Sequence, residues 1–200
     1  MRKIFCLALL FTFLFSGPSL SQEGFKVIFG RDAKSLHYPL GDRTVYIYPA
    51  FEDYAFMLFD VCDAIVLKGD DCLIYPFNGE IENAIEAIYE GNRIIVYDRR
   101  LSSILGYNGA MTVIAHEVGH HYCNHIHKLS TSVEEAHSME LEADRFAGAA
   151  MRRAGMSLSG ALSMARILSR CPSITHPSRS RRIAAIREGW HNPASIYRCR

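Results

Sequence analysis

Residues 115–125 read AHEVGHHYCNH, and the reading of His116-Glu117-Val118-Gly119-His120 decides the rest of the chain. In a helix, positions four apart share a face, so His116 and His120 converge one turn apart on a single point. Two imidazoles so placed supply half the donors of a tetrahedral zinc ion. Glu117 projects beside them, where it can take a proton from water at the metal. The competing interpretation is a helix whose histidines merely cap or pack. The pentapeptide alone does not separate the two.

Downstream, residues 140–144 read ELEAD. On a helix Glu140 and Asp144 share one face. Alone this would pass for an exposed acidic face. Beside HEVGH it makes Glu140 the third metal ligand, and three protein ligands leave the fourth position open, the arrangement of catalytic zinc. Asp144, one turn on, is placed to accept the remaining N–H of a ligand histidine and fix its tautomer. Glu142 points elsewhere and is the weaker ligand candidate. Ala143, Ala147 and Gly148 keep this helix thin enough for another to approach closely.

A third segment, residues 175–182, reads THPSRSRR. Pro177 suits the first position of a helix, which sets His176 at its mouth. If His176 faces the metal, it can donate a hydrogen bond to the oxyanion of a tetrahedral intermediate. Arg182 follows on that helix, to orient His176 or to pair with an acid.

The N-terminus reads differently. Arg2 and Lys3 precede an apolar run over residues 4–15, then Gly17-Pro18 and Ser19-Leu20-Ser21. That is a secretory signal peptide over residues 1–21, too short to span a bilayer comfortably. The expectation is an exported protein, periplasmic or extracellular, with residues 22–200 as one domain and no transmembrane segment in the mature chain. With 22 basic and 21 acidic side chains, global charge implies no polyanionic partner. The arginines from Arg170 to Arg200 read as a solvated helix face, so nucleic acid is not expected. In an oxidising compartment Cys62 and Cys72 are expected to pair across a hairpin, and Cys171 with Cys199 at the C-terminus. Cys123, on the histidine helix, is expected to stay unpaired.

In chain order, residues 45–48 read as a strand, and 51–59 as a short helix or another strand. Residues 64–67 and 73–75 read as a hairpin about the turn 68–71. Residues 83–89 are ambiguous, and 93–97 are β-rich. A helical turn over 101–105 ends at Gly106. Asn108 is a candidate cap for a helix to about Lys128. Further helices are expected from about Glu134 to Ala154 with Gly155 as the stop, over 158–169, and from Pro177.

HEVGH, ELEAD and THPSRSRR together resemble the gluzincin peptidases of the HtpX/CaaX-prenyl-protease clan, the minigluzincins. The resemblance covers about residues 83–190 and does not reach residues 22–78. It implies an α+β fold: a zincin domain whose small β-sheet carries an edge strand and packs on a helical zinc-binding core. It implies one zinc per chain on His116, His120 and Glu140, Glu117 as general base, and Asp144 behind the ligands. His176 becomes the transition-state stabiliser, with Arg182 in the family's arginine position. Asn83-Ala84 matches the segment whose edge strand binds extended substrate, which favours strand for 83–89. The chain lacks the membrane helices that enclose the active site of membrane members, so lipidated-peptide processing is not expected. The function implied is an exported zinc endopeptidase acting on peptide or protein substrates. The alternative is a non-catalytic, metal-stabilised binding or chaperone-like module on the same fold. A structural site alone would need neither Glu117 nor His176.

Overall fold

The structure, a computed structural model, describes residues 35–50, 52–66, 72–98 and 100–198. The expected signal peptide lies outside them. The fold is α+β: a five-stranded sheet in the order β1-β2-β3-β5-β4 packs one face on a group of helices. Strands β1 (Leu36–Leu40) and β2 (Arg43–Pro49) form an antiparallel hairpin, and β2 continues antiparallel onto β3 (Tyr75–Gly79). β3 pairs in parallel with β5 (Asn92–Tyr97), which pairs antiparallel with β4 (Ala84–Tyr89). The two-residue turn from β4 to β5 has positive φ at both Glu90 and Gly91, the backbone that matches the twist of paired strands. β4 is therefore strand, as the resemblance implies, and it is an edge of the sheet.

β5 shows why periodicity in this region carries little. Ile94, Val96 and Phe77 join a core on one sheet face with Val45 and Ile47. Ile95 and Tyr97 join the helices on the other. A strand covered on both sides reads as an unbroken apolar run.

Residues 52–64 form a helix, α1 (Glu52–Ala64), so the hairpin expected from residue 64 is wrong. Buried Tyr54, Met57, Leu58, Val61, Cys62 and Ile65 follow one helical stripe, which overrides the short β-branched run at its end. Cys62 and Cys72 are nonetheless disulfide-bonded, linking the end of α1 to the approach to β3.

α2 (Arg100–Tyr122) is broken at Gly106, whose φ of 67° and ψ of 177° are non-helical, so the histidine-bearing part restarts after the expected break. It ends at Tyr122 rather than near Lys128. Asn124 then adopts the left-handed conformation that Asn tolerates better than most residues, and a 3-10 turn follows over His125–His127.

α3 (Val133–Arg153) is capped by the Ser132 side chain, which accepts from the Glu135 N–H. It stops at Gly155, φ 78°, where the Met156 N–H bonds the Met151 carbonyl. α4 is only Leu158–Ala161, continued as 3-10 helix over Leu162–Arg166, shorter than the expected 158–169. α5 (Arg179–His191) begins two residues beyond the expected proline start. Gly119 of α2 faces Ala143 and Phe146 of α3, and Gly148 of α3 faces Ile186 of α5. These small residues bring the three helices together, as the small side chains around ELEAD predict. No helix among the described residues is long and apolar enough to cross a membrane.

Candidate metal centre

α2 is buried almost all round from Gly109 to His121, so its histidines sit inside the protein rather than on a wet face. His116 and His120 are 5% and 7% exposed. Their Nε2 atoms face each other at 3.0 Å. Glu140 enters from α3, with Oε2 3.4 Å from His116 Nε2 and Oε1 3.4 Å from His120 Nε2. The three residues form a buried group able to hold a metal ion, with one ligand atom from each lying within 4.8 Å of the others.

The geometry tests whether zinc fits. Bonds of roughly 2.0–2.1 Å at tetrahedral angles put ligand atoms roughly 3.3–3.4 Å apart. Around this triangle of side chains the two Nε2 atoms are 3.0 Å apart, and each lies 3.4 Å from a different oxygen of the Glu140 carboxylate, Oε2 for His116 and Oε1 for His120. Glu140 Oε2 is buried without a hydrogen-bond partner, and a cation would satisfy it. The donor set of two imidazoles and one carboxylate is one that zinc accepts.

Behind the triangle, Asp144 is fully buried, and its Oδ1 lies 3.0 Å from His116 Nδ1. That bond puts the His116 proton on Nδ1 and turns Nε2 toward the triangle. Arg182 grips Asp144 with two bonds, Nε to Oδ2 at 2.8 Å and Nη2 to Oδ1 at 2.9 Å. Its Nη2 also lies 3.4 Å from Glu140 Oε2. Of the two expected roles for Arg182, the structure realises the pairing with an acid. Burial and Arg182 push His116 down, but Asp144 and Glu140 outweigh them and bring it up to about 10. Burial pushes His120 down to about 4. Burial opposes ionisation of Glu140, but His116 and His120 beside it hold it well below the carboxylate range.

Glu117 lies in the same cleft, 7% exposed, and burial raises its carboxyl to about 7. The backbone N–H of Glu86 on β4 donates to it. His176 borders the cleft at the end of the loop before α5, with Nε2 3.6 Å from Glu140 Oε2 and Nδ1 2.7 Å from the Thr175 hydroxyl. That loop is pinned by His137, whose Nε2 donates to the Ser173 carbonyl at 2.8 Å. Asn83 and Ala84 line the rim where β4 begins. Of the site residues named from the sequence, Asn83, Ala84, His116, Glu117, His120, Glu140, His176 and Arg182 line one cleft, and Asp144 lies buried behind His116.

Sequence reasoning missed several others. Glu86 lines the cleft, with a carboxyl raised to about 7 by burial and by Glu117. Its alternation with Ala84 along β4 was the available signal. Asp98 accepts from the Glu82 and Arg100 N–H groups and, at its own N–H, bonds the Asn83 carbonyl, tying the start of β4 to the start of α2. His121 does not face the metal; its Nε2 donates to the Ile94 carbonyl and fastens α2 to β5. His125 and Glu142 also approach each other, near Cys123. Cys123 is disulfide-bonded, which contradicts the expectation of an unpaired thiol and removes it as a metal ligand. It lies just past the end of α2, off the metal-facing surface. Cys171, expected to pair, is free and exposed; residue 199 lies outside the described residues.

Comparison with family models, with characterised proteins and with solved structures finds no match for this chain.

Proposed function

We propose that this protein is an exported zinc-dependent endopeptidase of the minigluzincin type, with His116, His120 and Glu140 as the ligands. The observation that carries the reading is the convergence of two imidazole Nε2 atoms, 3.0 Å apart, on the Glu140 carboxylate, each 3.4 Å from one of its oxygens, a donor set that suits zinc. Zinc bound there would supply Lewis acidity toward water and toward a substrate carbonyl. Glu117 is the general base: burial raises its carboxyl to about 7, near the pH at which it must take and return a proton. After taking the proton it delivers it to the leaving amine. His176 is half-exposed at the rim, and its Nε2 is aimed inward to donate to the oxyanion. Asp144 and Arg182 keep His116 turned to the centre and balance the buried charge.

Substrate is an extended peptide laid along the outer edge of β4, where Asn83, Ala84 and Ile85 border the cleft. Among the described residues no strand pairs with that edge, and such an edge offers main-chain hydrogen bonds to a peptide. The apolar wall opposite, Met164, Ile167 and Leu168, faces the substrate side chains.

The test is cleavage of a quenched-fluorescence peptide or casein by the mature protein with zinc, abolished by a chelator. Glu117→Gln should retain one zinc per chain and near-native stability, and lose most turnover. Full activity in that variant would remove Glu117 from the mechanism, and the peptidase reading with it.

A further inference from the structure

The two ligand histidines are held from behind by different means. The Nδ1 of His116 meets Asp144 directly. The Nδ1 of His120 instead lies 3.0 Å from Nδ1 of His125, whose Nε2 lies 2.8 Å from Oε2 of Glu142. From these contacts we infer that Glu142 and His125 are positioning residues for His120, a carboxylate-histidine link that selects its tautomer; the inference rests on the zinc reading above.

The proton positions follow from donor and acceptor rules. An ionised carboxylate only accepts, so the short contact to Glu142 places a proton on His125 Nε2. With its ring proton on Nε2, His125 presents a bare Nδ1 to His120. Two imidazole nitrogens at 3.0 Å form a hydrogen bond only if one donates, so His120 carries its proton on Nδ1. Its Nε2 is left as a lone pair facing His116 and Glu140. Without the link nothing selects this tautomer over the other, and a proton on Nε2 blocks metal binding.

The fold builds the link from Glu142 of ELEAD and from His125, the last residue of the 115–125 stretch. The left-handed Asn124 turns the chain back at the end of α2, which brings His125 against His120. His125 is only 4% exposed, so the contact is dry. α3 then serves the centre three times: Glu140 toward the metal, Asp144 behind His116, and Glu142 behind His120 through His125.

The test uses metal-free protein, with zinc affinity measured by chelator competition and histidine tautomers read by 15N NMR of the imidazole rings. The Glu142 side chain is partly exposed, so its substitution is tolerated by the fold. Glu142→Ala should bind zinc about tenfold to a hundredfold more weakly than wild type. Glu142→Gln, whose amide oxygen accepts the same N–H, should restore most of that affinity. In metal-free wild type His120 should be the Nδ1–H tautomer, and in Glu142→Ala a mixture. Unchanged affinity in Glu142→Ala, an equal loss in Glu142→Gln, or an Nε2–H tautomer for wild-type His120 would each overturn the link. Should wild type bind no zinc, the zinc reading falls, and the tautomers of the metal-free protein still decide for or against the link.

Discussion

The contact between α3 and α5 governs the site, and Gly148→Ala tests it. A Cβ at residue 148 would fall 2.8 Å from the carbonyl carbon of Ile186, closer still to its oxygen, and 3.0 Å from the Trp190 nitrogen. Carbon atoms rest at about 3.5–4.0 Å, so α5 must retreat by about 1 Å. The obstruction is backbone and cannot rotate away. Overpacking of this kind costs about 1–3 kcal/mol. One turn before Ile186, α5 carries Arg182, whose bonds to Asp144 are 2.8 and 2.9 Å. Lengthened by about 1 Å they cease to be hydrogen bonds although the charges stay paired, which costs about 1.5–3 kcal/mol more. Guanidinium unfolding should therefore show a clear loss of stability, and zinc affinity should fall with it as Asp144 loses its clamp. Gly189→Ala should behave alike, since its Cβ would meet the Arg145 carbonyl from the other side. A Gly148→Ala protein that unfolds at the wild-type midpoint would refute the close-contact argument. One that is destabilised but binds zinc as tightly as wild type would refute the connection to the site.

Glu140→Ala should abolish stoichiometric zinc, measured as metal content after dialysis, whereas Glu142→Ala should retain zinc at reduced affinity; the reverse order would identify the wrong ligand. His176→Ala should lower kcat and kcat/KM together by about a hundredfold to a thousandfold and leave KM nearly unchanged, because an oxyanion contact exists mainly in the transition state. A rise in KM alone would make His176 a ground-state binding residue. Asp98 gives the pH dependence. Burial opposes its ionisation, but hydrogen bonds from Arg100 and from the Arg100 and Glu82 N–H groups win and hold it at about 2. A depressed folded pKa stabilises the fold above the unfolded value near 4, and that contribution is lost as pH falls through about 2. With Arg100 exposed and screened, the loss in acid should be about 1–2 kcal/mol. Urea unfolding of Asp98→Asn should lack this part of the acid limb, and an identical limb in both proteins would contradict the assignment.

The group able to hold a metal ion was legible because helical spacing aligns His116 with His120, and aligns Glu140 with Asp144 behind it. Strands were legible where one face is dry, as in β2, and less so in residues 83–89, where only the family resemblance favoured strand. The short run at the end of α1 misled because Ala64 to Leu67 looks β-like in isolation, while the stripe from Tyr54 to Ile65 becomes visible only over twelve residues. His125, Glu142 and Asp98 were not assigned their roles, since each acts across a turn or between elements that no local pattern connects. Cys123 was misjudged because the expectation committed its helix to the candidate metal site, whereas the helix ends at Tyr122 and Cys123 lies just beyond it in a disulfide.

The position of β4 at the rim of the sheet bears on what can enter the cleft. A boundary that offers peptide N–H and carbonyl groups reads the shape of a chain before its side chains. Helices have those groups already committed, and strands inside another protein's sheet are paired on both sides. On the proposed reading, the protein therefore selects by foldedness: slack termini, loops and unfolded polypeptides fit, and well-packed domains pass untouched.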